Sequence, residues 1–205
     1  MSPRQAVPGR PSGVEAAIVV GLGNPGPDYA GHRHNVGAMV VAAIAAAQGV
    51  TLKRGRGRLA RVACTSTRLA GSRVLLATLT TYMNESGQVV RPLLDYYKSE
   101  PGSLIVLHDE LDLPFGAVRI KQGGGDNGHN GLRSITQSLH SPDYIRIRIG
   151  IGRPVGRQSP ADFVLRDFSA AERTELPAIL DQAAGAVSLI IAGGVGHAQN
   201  ELHRP

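Results

Sequence analysis

The fifteen residues 21–35, GLGNPGPDYAGHRHN, constrain this chain more than any other stretch. The apolar run before them, residues 16–20, reads as a short buried strand, and residues 36–48 after them read as a helix. Between the two, Gly21, Gly23, Gly26, Pro25, Pro27 and Asn24 forbid regular structure, so turn geometry places the side chains. Asn24, Tyr29, His32, Arg33, His34 and Asn35 all lie in this loop. Strand, polar loop, helix is how open α/β sheets build sites at the carboxyl ends of their strands.

Gly21, Gly23 and Gly26 also spell Gly-x-Gly-x-x-Gly, the dinucleotide fingerprint. That motif needs a helix opening within the glycines, so that its N-terminus meets the pyrophosphate. Here Pro25 and Pro27 bracket the last glycine, and the acidic residue expected further on is replaced by Ala45, Ala46, Ala47 and Gln48. The context contradicts a dinucleotide site. The glycines instead let a site built from side chains approach closely.

Two more polar clusters follow strand-like runs. Residues 59–67 and 73–79 read as a hairpin joined by Ala70-Gly71-Ser72, and Thr80 to Gly87 then lead into a helix over residues 88–97. Residues 103–107 form a strong strand running into His108, Asp109, Glu110 and Asp112. Residues 117–122 alternate Val118 and Ile120 with Arg119 and Lys121, a half-buried strand with a basic outer face. A glycine-rich loop, 123–131, precedes a helix over 132–139 with Asn130 at its N-cap. Residues 144–152 alternate again, isoleucines one way and Arg146 and Arg148 the other. Residues 153–168 read as a long mobile loop. Ser169 and Glu172 make a capping box for a C-terminal helix, kinked or restarted at Pro177, ended by Gly193-Gly194 and followed by a short terminal helix. This order predicts an α/β fold: a single-domain mixed β-sheet with helices on both faces.

Composition bounds the partners. At 205 residues the chain is one domain's length, and its single cysteine, Cys64, excludes a disulfide framework. No run approaches the ~18 apolar residues of a membrane helix, and MSPRQAVPGRPSGVE lacks the apolar core of a signal peptide. Residues 1–14 are expected to be a disordered, weakly basic tail. A net charge of +6 suits a polyanionic partner, nucleic acid above all. With no Trp and 4% aromatics, phosphate contact fits better than base stacking. The loop Lys53-Arg54-Gly55-Arg56-Gly57-Arg58 reads either as a solvated turn or as such a contact.

The side chains at the strand ends, Asn24 with His34, Asn84, Asp109, and Asn130 beside His129, are equipment for water attack on a carbonyl. They offer a base, a carboxylate to orient it, and amide donors for the oxyanion. Spacing does not choose between His32 and His34. A metal site is the chemical alternative, since His32, His34, His108, Asp109, Asp112 and His129 supply enough nitrogen and oxygen ligands for zinc.

The chain resembles bacterial peptidyl-tRNA hydrolase. The matching motifs are Val19 to Gly26 with Tyr29 and Arg33-His34-Asn35; Thr81-Tyr82-Met83-Asn84 with Ser86-Gly87; His108 to Pro114; Gly123-Gly124-Gly125 with Gly128 to Leu132; and Arg148 to Gly152. They run in the family's order across about residues 16–203, so 15–205 is expected to be one such domain. The resemblance implies hydrolysis of the ester between peptide and tRNA, which recycles tRNA from prematurely released chains, by a cytoplasmic monomer with no metal or cofactor. It implies His34 as general base, Asp109 as its orienter, and Asn24 as the group that discriminates a peptidyl from a free amino group. Tyr29, Tyr82, Asn84 and Asn130 would bind the tRNA 3′ end and the ester. Tyr82 stands where the family often has Phe, and Asp126-Asn127 where relatives commonly have His-Gly. The reading adds Arg119, Lys121, Arg146 and Arg148 as a basic surface for tRNA phosphates. The alternative from another class is a non-catalytic RNA-binding protein of the same fold.

Overall fold

A computed structural model describes residues 17–154 and 156–202. The expected tail, residues 1–14, lies outside the described residues, as do Val155 and His203. Seven strands form one sheet in the order β2-β3-β4-β1-β5-β7-β6. The strands are β1 (Ala17–Gly21), β2 (Lys53–Arg54), β3 (Val62–Leu69), β4 (Ser72–Leu79), β5 (Leu104–Glu110), β6 (Val118–Gln122) and β7 (Ile145–Gly150). The central strands β4, β1, β5 and β7 run parallel, while β2, β3 and β6 pair antiparallel at the two edges, so the sheet is mixed as expected.

The helices are α1 (Val36–Ala47), α2 (Ser86–Tyr97), α3 (Asn130–Leu139), α4 (Pro160–Val164) and α5 (Ala170–Leu202). They cover both faces because the central strands are apolar on both. Val19, Leu76, Ile105 and Ile147 pack against α1 and α5, and Ile18, Val20, Leu75 and Val106 against α2 and α3. Parallel strands buried on two faces read as continuous apolar runs, which is what residues 17–20 and 104–107 are. The hairpin turn is Ala70 and Gly71, both at positive φ, a pairing whose twist matches the strands it joins.

Several expectations change in detail. His129, not Asn130, is the N-cap of α3; its Nδ1 accepts from the backbone N–H groups of Gly131 and Leu132. The 153–168 segment is not wholly irregular, since Ser159 caps the short helix α4. The Ser169–Glu172 capping box is present, but Pro177 keeps helical geometry, and the break in α5 falls at Gly194 (φ 81°, ψ 177°). An 18-residue window of α5 has a mean hydropathy of 1.6, long and apolar enough to cross a membrane, contrary to the expectation from sequence. Its Ile179, Ala183, Val187 and Ile190 pack into the core beneath the sheet.

The fold delivers its loops to one place through close backbone contact. A Cβ on Gly21 would lie 2.3 Å from the Gly37 carbonyl oxygen, and one on Gly37 would lie 2.1 Å from that of Leu107. Helix α1 therefore rests directly on β1 and β5. This is the physical role of the glycine in the 21–26 motif.

Candidate active site

The cleft lies at the carboxyl ends of β1 and β5, encloses about 370 Å³, and is lined among others by His34, Asp109, His129, Asn130 and Ser159. His34 sits on a 3-10 turn (Arg33–Asn35) between β1 and α1, and Asp109 is the penultimate residue of β5. Because α1 touches β5, the two meet: His34 Nδ1 lies 2.9 and 3.0 Å from the two carboxylate oxygens of Asp109. His34 Nδ1–H is then the donor, which leaves Nε2 as the basic nitrogen. His32 takes no part. Its Nε2 lies 3.9 Å from Asp167, and its ring meets Tyr29 edge-on.

Sequence reasoning named His129 beside Asn130 and as a possible zinc ligand, but not as a second imidazole on the same carboxylate. His129 Nε2 is 3.0 Å from Asp109 Oδ1. Since His129 Nδ1 accepts from the start of α3, its proton must sit on Nε2 and point at Asp109. Burial alone would push the Asp109 carboxyl up. His34 and His129, by charge and by hydrogen bond, outweigh it and hold the group well below the usual carboxylate range. Asp109 is ionised. His108, one residue before Asp109 on β5, meets the His129 ring edge-on at 5.0 Å and donates from Nδ1 to the Asp109 carbonyl. Burial, then the neighbouring His129, lowers its pKa to about 3, so this imidazole is neutral.

Of the three candidate amides, Asn130 lines the same cleft as His34 and Asp109, and Asn24 lines a neighbouring groove. Asn24 Oδ1 accepts from the backbone N–H of Met83 at 2.8 Å, leaving its Nδ2 without a partner among the described residues. Asn35, named in the loop by the sequence reading but given no role there, clamps Asn24 with two bonds of 2.9 Å, one to its N–H and one to its carbonyl. Asn84 stands exposed on the turn Met83–Glu85, and Asn130 is exposed at the start of α3. These two elements touch: a Cβ on Gly131 would be 2.6 Å from Met83 Sδ and 2.9 Å from Leu22. Tyr29 and Tyr82 form an edge-to-face pair, 6.1 Å apart, with Tyr82 55% exposed. Arg33 closes the far side. It bonds Glu172 at 2.6 Å and the Asp167 carbonyl at 2.7 Å and stacks on Phe163, which ties α4 and α5 to the turn carrying His34.

Two of the four proposed phosphate contacts are corrected. Arg146 is 2% exposed and donates to the carbonyls of Gly124 and Gly125, and Arg148 Nε bonds the buried Glu110 at 2.9 Å. The alternation that sets them apart from the isoleucines is real. However, the Gly124 and Gly125 carbonyls and the Glu110 carboxylate take up the guanidinium groups on that face. Arg119 is exposed and Lys121 half-buried on the edge strand β6.

Of the residues considered as zinc ligands, the structure gathers His34, Asp109 and His129, with ligand atoms within 4.8 Å of one another. They already hydrogen-bond at 2.9 to 3.0 Å. A zinc ion needs each at about 2.0–2.2 Å and would have to displace both hydrogen bonds.

A model of the family described as peptidyl-tRNA hydrolase matches residues 18–205. The chain belongs to the peptidyl-tRNA hydrolase family. It is 57% identical over 193 residues to a peptidyl-tRNA hydrolase of Frankia casuarinae, covering 94% of this chain and 96% of that one. A Nocardia farcinica relative of the same name is 53% identical over 191 residues, covering 91% and 96%. Among solved structures, peptidyl-tRNA hydrolase from Acinetobacter baumannii superposes with a TM-score of 0.83 at 37% identity, covering 91% of this chain and 93% of that one. Family membership thus spans the whole sheet, both helical layers and every loop around the cleft.

Proposed function

We propose that the chain, through one domain over residues 15–205, hydrolyses the ester joining a peptide to the terminal ribose of tRNA, as a cytoplasmic monomer without metal or cofactor. The observation that carries this reading is the buried hydrogen bond that holds His34 Nδ1 on the Asp109 carboxylate. Nε2 of His34 takes a proton from water as the water oxygen attacks the ester carbonyl. Negative charge builds on that carbonyl oxygen, where the amide groups of Asn84 and Asn130 act as donors. As the C–O bond to the ribose breaks, the imidazolium returns its proton to the leaving oxygen.

His129 is a positioning residue. Its hydrogen bond turns Asp109 toward His34 and keeps the carboxylate ionised. Asn24, fixed by Asn35 and Met83, offers Nδ2 to the backbone of a peptidyl group, and a free amino group lacks that acceptor. Tyr29 and Tyr82 give the 3′-terminal nucleotide a ring surface, and Arg119 and Lys121 meet backbone phosphates.

The test is release of N-acetyl-amino acid from N-acetyl-aminoacyl-tRNA in the presence of a strong chelator. Undiminished release is expected. Loss that added zinc restores returns the argument to the His34–Asp109–His129 group as a metal site. Binding of tRNA without cleavage favours the non-catalytic RNA-binding alternative.

A further inference from the structure

The positive charge of this chain is not spread over its surface. Residues 29–84 hold eight of its 22 Lys and Arg and none of its 16 Asp and Glu, so elsewhere 14 cations face 16 acids. The entire net charge resides in this segment, and seven of its eight cations, all but Arg33, lie between residues 53 and 73 in β2, β3, β4 and their connections. Toward the opposite edge of the sheet several cations are consumed, although Arg119 and Lys121 on β6 have no carboxylate partner among the described residues. Arg146 and Arg148 are bound as described, Arg133 pairs with Asp126, and Arg153 pairs with Asp112.

Lys53, Arg54, Arg56 and Arg58 are all exposed, and among the described residues none of them is paired with a carboxylate. Their loop is built, not loose. Gly55 donates to the Val62 carbonyl at 2.8 Å, and a Cβ there would lie 2.4 Å from the Leu59 carbonyl oxygen. Gly57 sits at φ 56°, and Leu59 is buried in the core beneath the turn Gly57–Leu59. Arg54 Nε bonds the Ala60 carbonyl. The glycines and Leu59 thus hold the backbone while the charged side chains point to solvent, a preorganised cationic edge. It adjoins the candidate site residue Asn24: Asn24, Asn35, Thr78, Leu79 and Leu52 line one groove, and Lys53 is the residue after Leu52.

We propose that the 53–58 loop binds backbone phosphates of the tRNA part of the substrate, on the side of the cleft opposite Arg119 and Lys121. This rests on the reading of the substrate given above. Edge strand β2 and edge strand β6 are six strand spacings apart, roughly 29 Å at ~4.8 Å each, with the cleft between them. The RNA is then held from both sides of the reacting ester. No large apolar side chain is exposed on the loop, as an interfacial membrane contact would require. Nucleic acid is the polyanion that matches.

The experiment is binding of deacylated tRNA from 50 to 200 mM salt, comparing wild type with Lys53→Gln/Arg56→Gln/Arg58→Gln and with Arg58→Gln alone. Each phosphate contact contributes about 0.7 to 0.9 to the slope of log affinity against log salt. The triple variant should lose about 2 to 3 from that slope and at least ~10-fold in affinity at 50 mM salt, and the single variant about one unit of slope. Cleavage of an N-acetyl-aminoacyl ester of the 3′-terminal trinucleotide should stay at the wild-type level in both variants, which shows that they are folded. Unchanged slope and affinity overturn the proposal. If wild type fails to cleave the short ester while the triple variant still loses tRNA affinity, the esterase reading fails and the RNA contact stands.

Discussion

At the scale of single residues, the cleft is organised by one carboxylate shared between two imidazoles. Asp109 Oδ1 accepts from His34 on one side and His129 on the other, and the start of α3 fixes the second of these protons. Asp109→Asn keeps the shape but presents an amide to His34 Nδ1, which favours the wrong tautomer. We expect kcat to fall by about 10²–10⁴ with little change in KM, read by steady-state release of peptide. His108 gives a separate pH signature. Its pKa is lowered to about 3 in the folded protein, against 6.5 when exposed, so the unfolded chain binds the extra proton between these values. Stability is therefore full above pH ~6.5 and is lost as pH falls toward 3. The urea midpoint should drop steadily from pH 7 to pH 4, and His108→Asn, which can still donate to the Asp109 carbonyl, should flatten that drop. An equally steep drop in the variant would assign the pH dependence to other groups.

At the scale of elements, the pair exists because α1 lies on bare backbone. A methyl group on Gly37 would meet the Leu107 carbonyl at 2.1 Å, so Gly37→Ala must lift α1 from β5. We expect a loss of stability of about 3 kcal/mol or more, together with lower activity, because His34 rides on the turn before α1. Gly102→Ala, with no atom within 4 Å of the new methyl and no positive φ, should be close to neutral in the same urea titration. The elements were largely readable in the chain: apolar runs bounded by turn residues marked β1, β4 and β5, alternation marked β6 and β7, and the polar side chains at strand ends marked the cleft. What failed was anything set by neighbours in space. Asn130 has a better N-cap chemistry than His129, yet tertiary packing against Met83 and Leu22 gives His129 the cap and brings it to Asp109. The alternation of Arg146 and Arg148 identified their face of β7 but not its burial, because the groups that cover it, the Gly124 and Gly125 carbonyls and Glu110, come from elsewhere in the chain. His34 could be chosen over His32 from sequence only by family resemblance; in the structure, distance to Asp109 makes the choice.

At the scale of the whole molecule, a seven-stranded sheet carries the cleft near its middle and cations on both edges. On the β6 edge, Arg119→Gln with Lys121→Gln should raise KM on full-length tRNA with little loss on a short mimic of the tRNA end. Equal losses on both substrates would contradict that assignment. The account as a whole turns on the basic nitrogen that the fold leaves facing the cleft. The most direct measurement is release of peptide from N-acetyl-aminoacyl-tRNA by wild type and by His34→Ala, at matched tRNA affinity. The account predicts release by wild type and a fall of at least ~10²-fold in the variant. Release by His34→Ala at the wild-type rate would contradict it.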